Sequence, residues 1–554
     1  MKTRTVRRAA SRPLYRPSRA PFIDRVVPSS TRPAPPSTTR ASAVRATAAT
    51  RPPPLLLCNR NVIEDSQKSD NVSRVGKVDE VSRAGAGDGS SPGLISWLRA
   101  SVSALPAGSS LPSVRELMRR YKVGPATVGA AFAQLAAEGL VVTIPGRGSF
   151  VAPPLSAPEA RGDTDWQLTA LGERVGTVEE LEVTAPAPAV DPIPLLSAYL
   201  PTDLQPLSDL RKSMERTMRR EDAWERVPGE GLGDLRAWFS RQIGGGLSEF
   251  ETLIAPGAQA ALSSVIRALS AAGDALVVES PTFVNVLALA RALKLRLVPV
   301  PTDAGGVRVD PLVHALEISR AKLIYLQPTI ANPHGATLAG ERRREVLRAA
   351  AAAGAFIIED DFARDLVFSG PAPAPLARDD LDGHVIYVRS LTKVIAPSMR
   401  VCAICARGAA FERLRATRLL DDLFVSAPLQ RTALELVTSP GWPKHLRRVC
   451  RALLLRRDAL VAAIQELLPS LELPVLPRGG LHLWVRLPNQ IDEAQLAQRA
   501  QHAGVILSRG RSWFPADAPG PHLRLTYAAT HPDAIREGVR RLAAAIGSEG
   551  AEHL

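Results

Sequence analysis

Apolar and polar positions fall into distinct regimes along this chain. Residues 1–92 have no hydrophobic period; Arg, Pro, Ser, Thr and Ala dominate, and such a composition predicts disorder. Residues 93–152 are periodic. Positions 93–104 read as one helix, and a second opens in Leu111-Pro-Ser-Val-Arg-Glu, with Ser113 as N-cap and Glu116 at capping-box spacing. Lys122-Val-Gly makes a turn. Pro125 suits the first position of a third helix running to about Glu138, because its missing N–H has no partner to lose there. Gly139 stops that helix. Positions 140–144 and 149–152 then form a hairpin around Pro145-Gly-Arg-Gly.

Residues 153–190 are rich in Pro and Ala and poorly periodic, as a linker is. From 191 to 547 helical segments alternate with short apolar runs at 275–278, 296–300, 323–326, 355–358, 385–388 and 401–405. That alternation predicts a mostly parallel α/β sheet covered on both faces. After Val449 a long helix and a small α+β region follow, ending near Ile546, and 548–554 is a tail.

Two further observations change this picture. The net charge of +14 is unevenly spread. Lys plus Arg outnumber Asp plus Glu by 17 to 7 over residues 1–92 and by 6 to 2 over 93–152, whereas 153–554 balance at 46 to 46. Affinity for nucleic acid is therefore expected of the small module and the tail, not of the large domain. At 554 residues two or three domains are expected. Four cysteines in so long a chain indicate a reducing compartment; Cys402 and Cys405 form a C-x-x-C, but inside a strand-like run, as a buried structural pair. No apolar run approaches the ~18 residues of a membrane span.

The helix–helix–turn–helix–hairpin pattern at 93–152 is that of a winged helix-turn-helix, whose third helix enters the major groove while the wing meets the backbone. The basic positions Arg115, Lys122 and Arg147, with Thr127, are its candidate DNA contacts. A different chemistry lies downstream. Lys393 sits between Ser390 and Thr392 on one side and Arg400 on the other, at the end of an apolar strand. A lysine delivered by a buried strand among phosphate-binding groups suits a Schiff base with pyridoxal phosphate. Desolvation and nearby cations free its amine.

These residues carry two resemblances. Residues 111–152 resemble the GntR-type winged helix, and 191–547 resemble the class I aminotransferase fold, fold-type I of the pyridoxal-phosphate enzymes. In this order they resemble the MocR subfamily of GntR regulators. The resemblance implies that Gly257, Ala258 and Gln259 form the turn facing the cofactor phosphate, with Ser390 and Arg400 also on it. It implies that Phe283 stacks on the pyridine ring, Asn332 bonds its phenolic oxygen, Asp360 pairs with the ring nitrogen, and Lys393 is the catalytic lysine. Arg524, in Leu-Arg-Leu-Thr-Tyr, matches the arginine that grips an amino-acid carboxylate. A homodimer is implied too, because fold-type I sites use residues of both subunits.

The sequence also departs from that pattern. Phe362 stands where such chains carry a tyrosine that donates to the phenolic oxygen. Trp224 and Arg226, ahead of Gly231-Leu-Gly-Asp-Leu-Arg236, leave undecided which residue reaches the neighbouring subunit's phosphate. The third helix begins Gly124-Pro-Ala-Thr-Val where the family has Ser-Arg-x-Thr-Val, so it is short of base-reading side chains.

The leading expectation is a cytoplasmic, dimeric regulator, nucleoid-associated when bound to repeated half-sites, that senses an amino-acid-like effector or pyridoxal phosphate through an aldimine on Lys393. The alternatives are an aminotransferase with a vestigial winged helix, and a cofactor reservoir without a DNA role. For residues 1–92 a transit-peptide-like segment, a DNA-binding arm and a misassigned start are open, the last favoured by the Ala/Arg/Pro bias.

Overall fold

The computed structural model describes residues 91–153, 164–171 and 192–547. The expectations for the tail, for most of the linker, for 548–554 and for Cys58 lie outside the described residues. The chain divides into two compact units at Gly162/Asp163.

In the first unit, helix α1 (Ser91–Ala104) is followed by α2 (Val114–Tyr121), α3 (Pro125–Ala137) and a hairpin of β1 (Val141–Ile144) and β2 (Gly148–Val151). Helical spacing decides what packs: Leu94, Trp97 and Leu98 from α1, Leu117 and Tyr121 from α2, and Val128, Ala131, Phe132 and Leu135 from α3 make one core with Val141 and Val151. Each fully buried leucine or phenylalanine contributes about 1.5–3 kcal/mol, enough for so small a core. Ser113 caps α2 by accepting from the Glu116 N–H at 3.3 Å, which is one half of the predicted capping box. Lys122 closes α2 in the left-handed region (φ 51°), and Pro125 opens α3. β1 pairs antiparallel with β2, Val141 opposite Val151 and Ile144 opposite Gly148.

The second unit is built on an eight-stranded sheet. Its strands are β4 (Thr252–Ala255), β5 (Ala275–Ser280), β6 (Arg296–Asp303), β7 (Gly306–Val307), β8 (Leu323–Leu326), β9 (Phe356–Asp360), β10 (Val385–Ser390) and β11 (Cys402–Cys405), in the order β4-β11-β10-β9-β8-β5-β6-β7. β10, β9, β8, β5 and β6 run parallel, while β11 is antiparallel to both of its neighbours. Strand β4 was not expected from the sequence; it is four residues long and lies between a one-turn helix and a glycine.

Alternation along each strand feeds two cores. Val277, Ile324, Ile357 and Tyr387 go to one face, whereas Val278, Tyr325, Ile358 and Val388 go to the other. The same alternation sends Cys402 and Cys405 to opposite faces, so the two thiols cannot share a ligand. The remainder carries a 26-residue helix, Trp442–Leu467, which begins earlier than its apolar pattern suggested. It also carries a three-stranded antiparallel sheet of β12 (His482–Arg486), β14 (Ser508–Arg509) and β15 (His522–Thr526). A short parallel pair, β3 (Ile193–Pro194) with β13 (Val505–Ile506), ties the start of this unit to its end.

Candidate functional site

Five loops leave the carboxyl ends of β4, β5, β8, β9 and β10, and these ends share one edge because β4 runs parallel to β10 through the reversed β11. Ligands of open α/β sheets bind at that edge. The loops carry the predicted residues: Gly257 after β4, Phe283 after β5, Asn332 after β8, Asp360 ending β9, Ser390 ending β10 and Lys393 just beyond.

Gly257 takes φ +94° at the start of the helix Ala258–Leu269. A Cβ there would lie 2.4 Å from Cζ of Arg400, so glycine is what lets the guanidinium close on the turn. No side chain caps this helix. Its first N–H groups and Arg400 together make a cradle for a dianion. Gln259 accepts from Asn285 at 3.2 Å. Ser390 is held within its own loop: its hydroxyl donates to Oγ1 of Thr392 at 3.1 Å and accepts from the Thr392 N–H at 3.2 Å.

Asp360 is buried. Its Oδ2 accepts from the Tyr325 hydroxyl at 2.7 Å and from Nε2 of Gln327 at 3.0 Å, whereas Oδ1 has no partner. Burial raises its pKa to about 6, against the pull of those two donors. Lys393 is half-buried, with Nζ donating to the Ala198 carbonyl at 3.1 Å and lying 3.7 Å from the ring centre of Tyr199. Desolvation, with the Arg524 and Arg400 cations nearby, lowers its pKa to about 7 despite Asp360. A large share of this amine is therefore unprotonated, and nucleophilic, at neutral pH.

Arg524, on β15, is buried over the Trp513 ring at 4.4 Å. Its Nη2 donates to the Leu196 carbonyl at 3.0 Å, its Nη1 makes a long 3.4 Å bond to Oδ1 of Asn332, and its Nε is unpaired. Burial lowers its pKa to about 10. Phe283 starts the helix Val284–Ala292 and tilts against Trp513 at 6.4 Å. Phe362 is half-buried two residues beyond Asp360. Trp224 is 81% exposed, and Arg226 stacks on Phe424 at 5.8 Å.

The arrangement fits pyridoxal phosphate on three counts. The unpaired Oδ1 of buried Asp360 suits a ring N–H, the Gly257–Arg400 cradle suits the phosphate, and Lys393 is an amine with its charge already disfavoured. Sequence reasoning missed Tyr199, Tyr325, Gln327 and Trp513. Tyr325 reads as one more apolar strand residue, Tyr199 and Gln327 lie in aperiodic loops and Trp513 in a one-turn helix, and only the fold brings them to Lys393, Asp360 or Arg524.

In the first unit Arg115 stands exposed on the first turn of α2, Lys122 in the turn, Thr127 half-buried on the first turn of α3, and Arg147 exposed at the hairpin tip. α3 turns Ala126, Gly129, Ala130 and Ala133 outward. Gln134 is engaged with Glu138 at 3.1 Å, and Glu138 pairs with Arg99 at 2.6 Å. This face offers a backbone to close approach but few groups for base edges.

The family described as aminotransferase class I and II matches residues 236–542, and the gntR family of bacterial regulatory proteins matches residues 98–151. The HTH-type transcriptional regulator YdfD of Bacillus subtilis is 27% identical over 444 residues, 79% of this chain and 92% of YdfD. The HTH-type transcriptional regulator YjiR of Escherichia coli is 26% identical over 453 residues, 79% of this chain and 94% of YjiR. The crystal structure of LysN, the alpha-aminoadipate aminotransferase of Thermus thermophilus complexed with N-(5'-phosphopyridoxyl)-L-leucine, is 26% identical with a TM-score of 0.62. That match covers 67% of this chain and 94% of LysN.

Proposed function

The chain belongs to the aminotransferase class I and II family and carries a GntR-family region ahead of that domain, and on this premise we propose that it is a pyridoxal-phosphate-dependent, DNA-binding transcriptional regulator of the MocR type. Its aminotransferase-like domain receives an amino-acid-like effector, or pyridoxal phosphate itself as the signal. The observation that carries this reading is the fusion of a winged helix to a unit with a desolvated Lys393 and a half-paired, buried Asp360.

When bound, pyridoxal phosphate supplies an electrophilic carbonyl and an electron-withdrawing ring. Lys393 offers a neutral amine to that carbonyl, and Asp360 offers Oδ1 to the ring nitrogen. Arg400 and the Gly257-Ala258-Gln259 turn neutralise the phosphate. Arg524 turns its free Nε and its weakly engaged Nη1 to the effector carboxylate. Phe362 supplies no hydroxyl, which costs about 1–3 kcal/mol if the phenolic oxygen is otherwise unpaired. That loss favours sensing over turnover. An aminotransferase with a vestigial winged helix is the second reading, favoured by the joint presence of Lys393, Asp360 and Arg524.

Exposed Trp224, Leu420 and Leu423, on a loop and a helix end that approach each other at Gly229, support a homodimer built through this patch. A regulator acting on bacterial DNA works in the cytoplasm. Mobility shifts on the chain's own upstream intergenic DNA test the reading. Salt-sensitive binding that Arg115→Ala weakens is expected. Absence of any such binding, with multiple-turnover transamination, would favour the enzyme.

A further inference from the structure

One face of the small sheet is polar and buried, which is unusual for a core-facing surface. β12 and β15 pair with His482 opposite Thr526 and Trp484 opposite Arg524. Their alternate residues Leu483, Val485, Leu523 and Leu525 enter the hydrophobic core, so His482, Thr526 and Arg524 share the other face. His482 is 2% exposed and its ring nitrogens make no well-formed hydrogen bond, the Ala331 carbonyl beside it being a weak acceptor at most. His334, from the loop that carries Asn332, is 5% exposed and equally unpartnered, and so is the Thr526 hydroxyl.

Unpaired buried polar groups are costly, at about 1–3 kcal/mol each, and several around one point indicate a ligand group that pairs with them. Their surroundings fix its charge. His482 lies within electrostatic reach of Arg524, His334 and Lys393, all of which disfavour its protonation. The carboxylate acting on His334 is Asp303, which is already paired with Arg342 at 2.6 Å, and Asp360 is engaged by Tyr325 and Gln327. Burial keeps both imidazoles neutral, His334 with a pKa of about 4, so each ring has one N–H to donate, that of His482 competed for only weakly by the Ala331 carbonyl. The Arg524 guanidinium disfavours a basic side chain here, whereas an acidic one can accept from either imidazole N–H. His334 also lines a cleft of about 520 Å³ with Trp484, His522 and the carboxylates Asp303 and Asp517, which are paired with Arg342 and Arg511.

We propose that His334 and His482 form a subsite for a second acidic group, so that the effector is a dicarboxylic amino acid whose α-carboxylate goes to Arg524 and whose side-chain carboxylate goes to the two imidazoles. The proposal rests on the amino-acid-effector reading above.

Calorimetric titration of the full-length, cofactor-loaded protein tests it, with aspartate against asparagine, glutamate against glutamine, and alanine as the common core. At least one acid is expected to bind about tenfold or more tightly than its amide, a difference of about 1.4 kcal/mol. In the double variant His334→Leu/His482→Leu that preference should fall to within about twofold, with alanine affinity nearly unchanged. If that variant does not load cofactor, the single exchanges His334→Gln and His482→Gln are expected to lower the preference by about threefold or more. Binding of alanine and the amides without any acidic preference overturns the subsite alone. An acidic preference that survives all the substitutions also overturns it. Failure of every amino acid to bind overturns the effector reading and the subsite with it.

Discussion

Asp360→Asn should separate what this carboxylate does for stability from what it does for the cofactor. In the cofactor-free protein its pKa is about 6 against an ordinary 3.8, because burial outweighs its two hydrogen bonds. A folded-state pKa above the unfolded one means that the native state holds the extra proton. The resulting stability is full below about pH 3.8 and is lost as pH rises through about 6. Between pH 8 and pH 5 this group alone adds about 1.4 kcal/mol to native stability. Asparagine does not titrate, so the variant loses that increment; Glu359 keeps its own, whereas Glu279, whose pKa the Asp360 charge helps to raise, gives up a little of its increment.

The same substitution removes the charged acceptor for the ring nitrogen. A charge-assisted bond of about 1.5–3 kcal/mol is lost, and pyridoxal phosphate should bind about ten- to a hundredfold more weakly. Urea unfolding of both apo proteins at pH 5 and pH 8, with a cofactor titration at pH 8, measures both effects. A variant that keeps the wild-type pH difference, or binds the cofactor equally tightly, would refute the reasoning.

Two other substitutions probe the same edge of the sheet. Gly257→Ala puts a Cβ 2.4 Å from Cζ of Arg400 at a backbone φ of +94°, which costs about 1–3 kcal/mol and displaces the guanidinium. Cofactor affinity should fall about tenfold or more by fluorescence titration, while DNA binding of the cofactor-free protein is retained. Phe362→Tyr returns a donor beside Asp360 and should raise any transamination rate with an amino-acid panel; an unchanged rate would show that the missing hydroxyl is not what limits turnover.

Much of the architecture could be read from the chain because its signals are local. Ser113, Pro125 and Gly139 punctuate the three-helix module by capping chemistry, and the runs at 275, 323 and 385 are too apolar and too short to be anything but buried strands. β4 escaped because Thr252-Leu-Ile-Ala is one short run between a turn and a glycine, and its place depends on pairing with the reversed β11. The long helix begins at Trp442 because Pro443 sits in its first turn, where it needs no donor.

Within the site, Lys393, Asp360 and Gly257 stand out in sequence by their strand-end positions. Tyr325, Tyr199 and the two histidines do not. Tyr325 has the spacing of a core residue, and its role comes from a hydroxyl that happens to reach Asp360 at 2.7 Å. His334 and His482 lie 148 positions apart, and only the packing of the small sheet against the β8 loop brings them to the same ligand region.

The central claim is that the aminotransferase-like unit governs DNA binding, and the affinity of the full-length protein for its own upstream DNA, with and without ligand, tests it most directly. Measured at one fixed salt concentration in the apo, cofactor-loaded and effector-saturated states, the dissociation constant should change by about fivefold or more between at least two of them. Lys393→Ala should abolish that change while leaving apo binding intact. A dissociation constant that is the same in all three states would contradict the account.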